Sequence, residues 1–388
     1  MLVEYAGYNH PMRRRLPRFL MFLFVVFILT GLQIQAFLAS WAPLHAWGLA
    51  VLCFALMIPW QFGYSMGRLK TGSLALAVTA WLGNVTLGIW GTFVMLCIPF
   101  NVLYVIAWAL GQTQPHLYSQ CGEWVVLASL GIGLIGWLQT VIGPRITRVK
   151  VPVVNLPAEL AGLTIAQISD LHVGPTIGRR YVSKVVRRVK GLNADLIAFT
   201  GDFGDGPAPL LKKAWLPLGG LTAPLGKFYV NGNHEYYWGG DPWVTAARET
   251  GFETLLNENR VVTHKGQTIT VAGVTDPSAK YFKPEQTQSC AKAMAGGEKS
   301  AFKILLSHQP GNCEVAAQTG FDLQLSGHTH GGQFFPFIFF MPFTHKYFKG
   351  LNRHQAMWLY VCVGTGYWGP PNRFAVPSEI SLLTLECA

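Results

Sequence analysis

Residues 163–172 read Leu-Thr-Ile-Ala-Gln-Ile-Ser-Asp-Leu-His, an apolar run that ends on an aspartate and a histidine two positions apart. A short apolar, β-branched run closed by polar residues predicts a buried strand. The pattern recurs downstream. Residues 195–200 lead into Gly201-Asp202, residues 227–230 into Asn231-Gly232-Asn233-His234, residues 302–306 into Ser307-His308, and residues 321–325 into Ser326-Gly327-His328. Between the first two runs, residues 179–192 place Val182, Val185, Val186, Val189 and Leu192 at a helical period with Arg and Lys between them. Strands alternating with helices predict an α/β layered domain over 151–388, and in such sheets ligands collect beyond the carboxyl ends of the strands. Here each strand end carries a side chain able to hold a metal.

Upstream the texture differs. Residues 19–67 contain no Asp, Glu, Lys or Arg, and neither do residues 71–122. A membrane span needs roughly 20 apolar residues. The stretch 1–150 is therefore expected to be a transmembrane region, with helices near 19–38, 46–64, 73–98 and 124–142 and a turn at Pro43. Trp41, Trp47, Trp108 and Trp124 fall near the proposed ends, where indole rings prefer the interface. A removable signal peptide is not expected, because the first run is long and others follow. Residues 71–111 admit one helix to Pro99 or two turning near Gly91, giving four spans or five. Only an even count leaves the arginines at 13–15 and 18, Arg68 with Lys70, and Arg145, Arg148 and Lys150 on one side. The positive-inside bias thus favours four spans in an inner or plasma membrane, with the C-terminal domain cytoplasmic.

Of the 388 residues 51% are apolar and 13% charged, against about 25% charged in soluble domains. That excludes a disordered chain and argues against a soluble one along its whole length. The net charge of +11 is uneven: residues 1–150 hold nine basic and two acidic residues, and the remainder hold 21 and 17. Most of the excess flanks apolar runs, so it reads as membrane orientation, and no nucleic-acid partner is expected. Seven cysteines without a CxxC indicate neither a zinc knuckle nor a disulfide framework.

The strand ends together offer Asp170 and His172, Asp202, Asn233 with His234, His308, and His328 with His330. Mixed carboxylate, amide and imidazole donors suit Mn, Fe, Zn or Co better than Ca or Mg. The set exceeds what one ion needs, and a carboxylate can bridge. Two ions about 3.5–4 Å apart would clamp the attacking and leaving oxygens of a displacement at phosphorus.

Asp170-Leu171-His172, Gly201-Asp202, Gly232-Asn233-His234-Glu235, Ser307-His308 and Gly327-His328-Thr329-His330 resemble, in order, the five motifs of the calcineurin-like metallophosphoesterases. The resemblance covers about residues 160–388. Gly331-Gly332-Gln333 and the segment from Pro371-Asn372-Arg373 to Glu379 are similar to a membrane-associated bacterial branch. That branch includes proteins similar to UDP-2,3-diacylglucosamine pyrophosphatases. The resemblance implies one ion held by Asp170, His172, Asp202 and His330, and a second held by Asp202, Asn233, His308 and His328. It further implies a shared hydroxide attacking phosphorus in line, with His234 protonating the leaving oxygen. An imidazole can supply that proton near neutral pH.

Other polar residues carry blander expectations. His10, His45, His116, His264, His345 and His354 are expected to be structural, and Asp205 a turn residue. Arg373 is a candidate for the substrate phosphate, with a surface or structural ion pair as its alternative. Residues 334–343, Phe-Phe-Pro-Phe-Ile-Phe-Phe-Met-Pro-Phe, are too short and proline-broken to span. They read either as a buried loop or as a flap meeting lipid beside the metals.

The expected architecture is an N-terminal transmembrane α-helical region followed by a four-layered αββα sandwich. The expected function is a membrane-bound phosphoesterase using two divalent ions on a phosphorylated substrate, favourably a lipid-linked one. Two rivals stand beside it: a phosphodiesterase or phosphomonoesterase acting on soluble nucleotides, and a metal-binding membrane sensor or transport-associated protein. No charged residue lies at mid-depth in the spans, which argues mildly against transport.

Overall fold

The computed structural model describes residues 28–37, 48, 51 and 74–388. Two long helices precede the strands, α1 (Leu74–Ala109) and α2 (Pro115–Ile142). The helix expected over 73–98 runs on through Pro99 to Ala109, without the turn considered near Gly91, and the one expected over 124–142 already begins at Pro115. Within them, Ala80–Ala109 and His116–Ile142 are long and apolar enough to cross a membrane. Only 17% of each apolar window is buried, so neither is the core helix of a soluble domain. A shorter apolar helix covers Ile28–Phe37. The remainder of the helices expected near 19–38 and 46–64 lies outside the described residues.

The helices run antiparallel, with Tyr104 against Tyr118 at 4.5 Å between ring centroids and Trp81 against Trp137 at 6.3 Å. One polar cluster among them is satisfied locally, as an apolar surrounding favours. Gln33 donates to Tyr118 at 2.7 Å, Tyr118 to Asn101 at 2.7 Å, and Asn101 back to Gln33 at 3.0 Å.

Twelve strands follow among the described residues: β1 (Arg145–Val153), β2 (Thr164–Ile168), β3 (Leu196–Thr200), β4 (Lys227–Val230), β5 (Glu253–Thr254), β6 (Glu258–His264), β7 (Gln267–Gly273), β8 (Phe302–Leu306), β9 (Leu323–Ser326), β10 (Gly350–His354), β11 (Met357–Val361) and β12 (Glu379–Cys387). They make two six-stranded sheets, ordered β1-β12-β2-β3-β4-β5 and β10-β11-β9-β8-β7-β6. The expected boundary after residue 150 falls inside β1, which pairs in parallel with β12 from Arg145 opposite Glu379 to Val153 opposite Cys387.

Strand alternation explains the packing. Ile165, Leu196, Ala198 and Leu383 from the first sheet meet Ile269, Val271, Ile304 and Leu325 from the second in one shared core. The intervening residues Ala166, Ile168, Ile197 and Phe199 turn to the opposite face, onto α3 (Arg179–Lys190) and the indoles of Trp215 and Trp243. On the second sheet Ala272, Leu305 and Leu359 do the same against Cys313 and Ala316. With both faces covered, the strands read as near-continuous apolar runs. The parallel strands β2, β3, β4, β8 and β9 all deliver their carboxyl ends to one rim.

Candidate metal centre

That rim holds the sequence-predicted ligands: Asp170 and His172 after β2, Asp202 after β3, Asn233 and His234 after β4, His308 after β8, and His328 and His330 after β9. Asp170, His172, Asp202, His328 and His330 all hold φ between 50° and 70°. L side chains seldom adopt this left-handed backbone, and such strain gathers where a fold must aim a group. The β2 and β3 loops stay in register beyond the sheet. Asp170 N donates to Gly201 O at 3.0 Å, and His172 N to Asp202 O at 3.1 Å. Close approach needs glycine: a Cβ at Gly232 would stand 2.2 Å from Asp202 Oδ1, and one at Gly327 2.2 Å from Asp170 Oδ2.

Two groups result. In the first, His172 Nε2 lies 3.0 Å from His330 Nε2, which lies 3.5 Å from Asp170 Oδ1. In the second, Asp202, His308 and His328 come together, with His308 Nε2 3.2 Å from Asp202 Oδ2 and 3.1 Å from Asn233 Oδ1. Asp202 joins the two, its Oδ2 also 3.7 Å from His172 Nε2. His308 Nδ1 faces Thr200 O at 2.8 Å. A carbonyl only accepts, so Nδ1 keeps its proton and Nε2 is the nitrogen turned to the centre.

The electrostatics suit a cation. Burial pushes the Asp170 carboxyl up. Burial would raise Asp202 too, yet His308, His234 and His172 hold it well below the usual carboxylate range. Burial, then the neighbouring His308 charge, push His328 down to about 3; burial and Arg373 hold His330 well below its ordinary value. Those two rings are neutral near pH 7 and keep a lone pair for coordination. His308 goes the other way: burial opposes its charge, but Asp202 lifts it well above the usual value. A proton between these two does what a cation would do. Among the described residues Asp170 Oδ2 is buried with no hydrogen-bond partner. An orphaned carboxylate oxygen is costly unless something cationic reaches it, so the donor set fits divalent metal.

Asp205, expected to be a turn residue, has another role. Its Oδ1 hydrogen-bonds His234 Nδ1, and its Oδ2 lies 3.1 Å from His172 Nδ1. Burial opposes charge on His234, but Asp205 and Asp202 push it up to about 9. His234 Nε2 points away from Asp205, 3.9 Å from Asp202 Oδ2. His172, Asp205 and His234 also lie close enough to hold an ion. Both Asp205 oxygens already face ring nitrogens, however, and its hydrogen bond to Nδ1 orients the His234 ring. Glu235 is the second residue the sequence reading passed over. It is fully buried and accepts from the backbone of Gly232, of Asp202 at 3.2 Å and of Phe203 at 2.5 Å, tying the β3 and β4 loops together. Only their places in Gly204-Asp205-Gly206 and after His234 marked them, and spacing alone assigns no partner.

Arg373 requires a correction. The residue considered for substrate phosphate is fully buried. Its Nε and Nη2 donate to Gly366 O at 3.1 and 2.5 Å, and its Nη1 to Val363 O at 2.7 Å and His330 O at 3.2 Å. Nη2 also stands 3.0 Å from His330 Nδ1. With five N–H groups in all, none is left for a phosphate. Nor does Arg373 make the alternative ion pair among the described residues. Of the remaining histidines, His354 sits between Glu314 and Tyr347, at 2.9 and 3.0 Å, as a structural residue. His345 comes within 6.0 Å of His328, ring to ring, without joining a group. His10 and His45 lie outside the described residues.

Comparison with known proteins points the same way. Residues 163–332 match the family described as calcineurin-like phosphoesterase. A zebrafish protein named transmembrane protein with metallophosphoesterase domain is 35% identical over 273 residues, 68% of this chain and 62% of its own length. A Helicobacter pylori protein named as an uncharacterized metallophosphoesterase is 35% identical over 261 residues, 67% of this chain and 68% of its own. The chain thus spans under two thirds of the zebrafish relative and just over two thirds of the bacterial one. The strand-end motifs, their convergence at one rim and this similarity agree, and the chain belongs to the calcineurin-like phosphoesterase family.

Proposed function

We propose that the protein is a membrane-bound phosphoesterase that hydrolyses a phosphoester or phosphoanhydride with two divalent ions, on a lipid-linked substrate at the membrane. The observation that carries the reading is the convergence of donors from four other strand ends around Asp202 at the end of β3. Asp170, His172 and His330 would hold one ion, Asn233, His308 and His328 the other, with Asp202 shared. When bound, such ions polarise phosphoryl oxygens and bring a water pKa toward 7. His234 holds a proton at Nε2 for the leaving oxygen, and Asp205 fixes that ring from the opposite nitrogen. Glu235 keeps the two loops at the spacing this requires.

The three cores support a four-layered αββα sandwich for about residues 151–388, and the single helix α1 supports an even number of spans with the sandwich on the cytoplasmic side. The lipid-linked substrate is supported by residues 334–343. Phe337 packs on Gly91 of α1, where a Cβ would stand 3.4 Å from its ring. Gln333 exchanges hydrogen bonds of 2.8 Å with both backbone groups of Trp368. The loop leaves Phe339, Phe340 and Phe343 exposed by 60%, 48% and 86% beside the apolar surface of the helices. Lys346 and Lys349 follow, both exposed, where lipid headgroups would meet them.

A soluble nucleotide is the second reading, favoured by Tyr237 and Trp368, whose rings stand 5.3 and 5.8 Å from His234 and are half exposed. Detergent-solubilised protein with Mn²⁺ should hydrolyse a chromogenic phosphodiester, and a screen of lipid phosphates against nucleotides should favour the lipids. Ser at Phe339 and Phe340 should then lower lipid turnover about tenfold while sparing the chromogenic ester. Equal loss on both substrates would contradict the lipid reading, and wild-type inertness towards every phosphoester would contradict hydrolysis itself.

A further inference from the structure

The membrane helices touch the residues that surround the metal centre. Gly136 lies six residues before the end of α2 at Ile142, about 9 Å along the axis at 1.5 Å per residue. Its carbonyl accepts from Arg373 N at 3.2 Å. Asn372 packs on the same glycine: a Cβ at 136 would stand 1.7 Å from Asn372 Oδ1 and 2.5 Å from its Cγ. On α1, a Cβ at Gly88 would stand 3.0 Å from Pro370 Cβ. Residues 370–374 are therefore seated on both helices. From that seat the Arg373 guanidinium reaches the other way, to the carbonyls of His330, Val363 and Gly366.

We infer that α2, through Gly136 and Arg373, holds His330 in position, which makes the membrane helices part of the framework of the metal centre. The inference rests on reading His330 as a metal ligand. Arg373 is a positioning residue here. Its backbone is fixed by the helix, and its side chain, with every donor committed, transmits that fix to the His330 backbone. Residues that orient a ligand are typically worth 10- to 100-fold in metal affinity.

The test uses full-length protein in detergent, stripped by chelator and titrated calorimetrically with Mn²⁺. Gly136→Ala must displace Asn372, and Arg373 next to it, so Mn²⁺ affinity should fall about 10- to 100-fold. Gly131 on the same helix has nothing within 4 Å of a Cβ, and Gly131→Ala should bind as wild type does. Alanine is the better helix former, so the loss cannot come from a weaker helix. Asn372→Gly in the Gly136→Ala background removes the two atoms that come nearest, leaving Phe374 N at 3.1 Å, and should restore affinity. Arg373→Lys keeps the charge but loses the planar fork, and should bind as weakly as Gly136→Ala. Unchanged affinity in Gly136→Ala, or no recovery in the double variant, overturns the coupling alone. Wild-type protein that takes up no Mn²⁺ overturns the metal reading with it.

Discussion

Glycine makes room in two regions of this molecule, and what fills the room differs. At the strand ends, Gly232 and Gly327 let the Asp202 and Asp170 carboxylates sit within 2.2 Å of where a Cβ would be. On the helices, Gly88, Gly91 and Gly136 admit Pro370, Phe337 and Asn372. The first set serves chemistry, because each cleared space lies against a candidate metal ligand. The second serves docking, because each space receives a loop of the two-sheet domain. If the coupling through Gly136 holds, the two regions are joined: Gly88 and Gly136 seat the segment that steadies His330.

The comparison breaks most sharply at Asp202. On the proposed reading this residue would be shared by both ions, whereas Gly136 would act on one ligand at second hand. Asp202→Asn removes the bridging charge and should lower turnover of a phosphodiester by about 10³-fold or more, since metal stabilisation of the reacting charge is worth several kcal/mol. Activity assays with Mn²⁺ beside Gly136→Ala would rank the two. An Asp202→Asn variant no worse than Gly136→Ala would mean that Asp202 does not bridge.

Asp205→Asn sits next in size. It leaves His234 in place but removes the carboxylate that raises its pKa and fixes its ring. Loss of an orienting partner should cost about 10- to 100-fold. The direction of the pH effect follows from the role. A general acid must be protonated, so activity falls as pH rises through its pKa. Without Asp205 that pKa drops, and the alkaline limb of the kcat/KM profile should move to lower pH. An unmoved limb would detach His234 from the proton transfer.

The same contrast explains what could be read from sequence. The candidate strand-end ligands are legible because each lies within a few residues of its glycine and its apolar run, so Asp170-Leu171-His172 or Gly327-His328-Thr329-His330 stands out locally. Asp205 lay in plain view but looked like any acid in a glycine turn, since its partners His172 and His234 arrive from other loops. Arg373 was misjudged for a related reason. A lone arginine near a phosphate site suggests substrate, and only the folded chain brings the carbonyls of Val363 and Gly366 to its donors. The helix glycines were silent altogether. In an apolar span a glycine is unremarkable, and its partners Pro370 and Asn372 follow after the whole of both sheets. The helix through Gly91 and Pro99 was undecidable for want of context, as neighbouring helices decide whether such residues turn the chain.

The smallest effect belongs to the far end of α2, where the contact is polar and partly exposed. The last turn of α2 contains no basic residue of its own. Two from α3 serve instead: Lys184 Nζ donates to Val141 O at 2.5 Å and Ile142 O at 3.3 Å, while Arg188 donates to Ile142 O at 2.9 Å and to Pro144 O. The Val141 and Ile142 carbonyls have no intrahelical partner and carry the negative end of the helix dipole, so each cation should contribute about 0.3–1 kcal/mol, less at high salt. Lys184→Ala with Arg188→Ala should therefore lower unfolding stability by about 0.6–2 kcal/mol, measured by denaturant titration in detergent. It should leave Mn²⁺ affinity unchanged, because the clamp lies beyond the Gly136 contact and touches neither Asn372 nor Arg373. A fall in Mn²⁺ affinity matching that of Gly136→Ala would move the coupling from the glycine seam to the helix end. It would also make the strand-end site sensitive to how the whole helix is held.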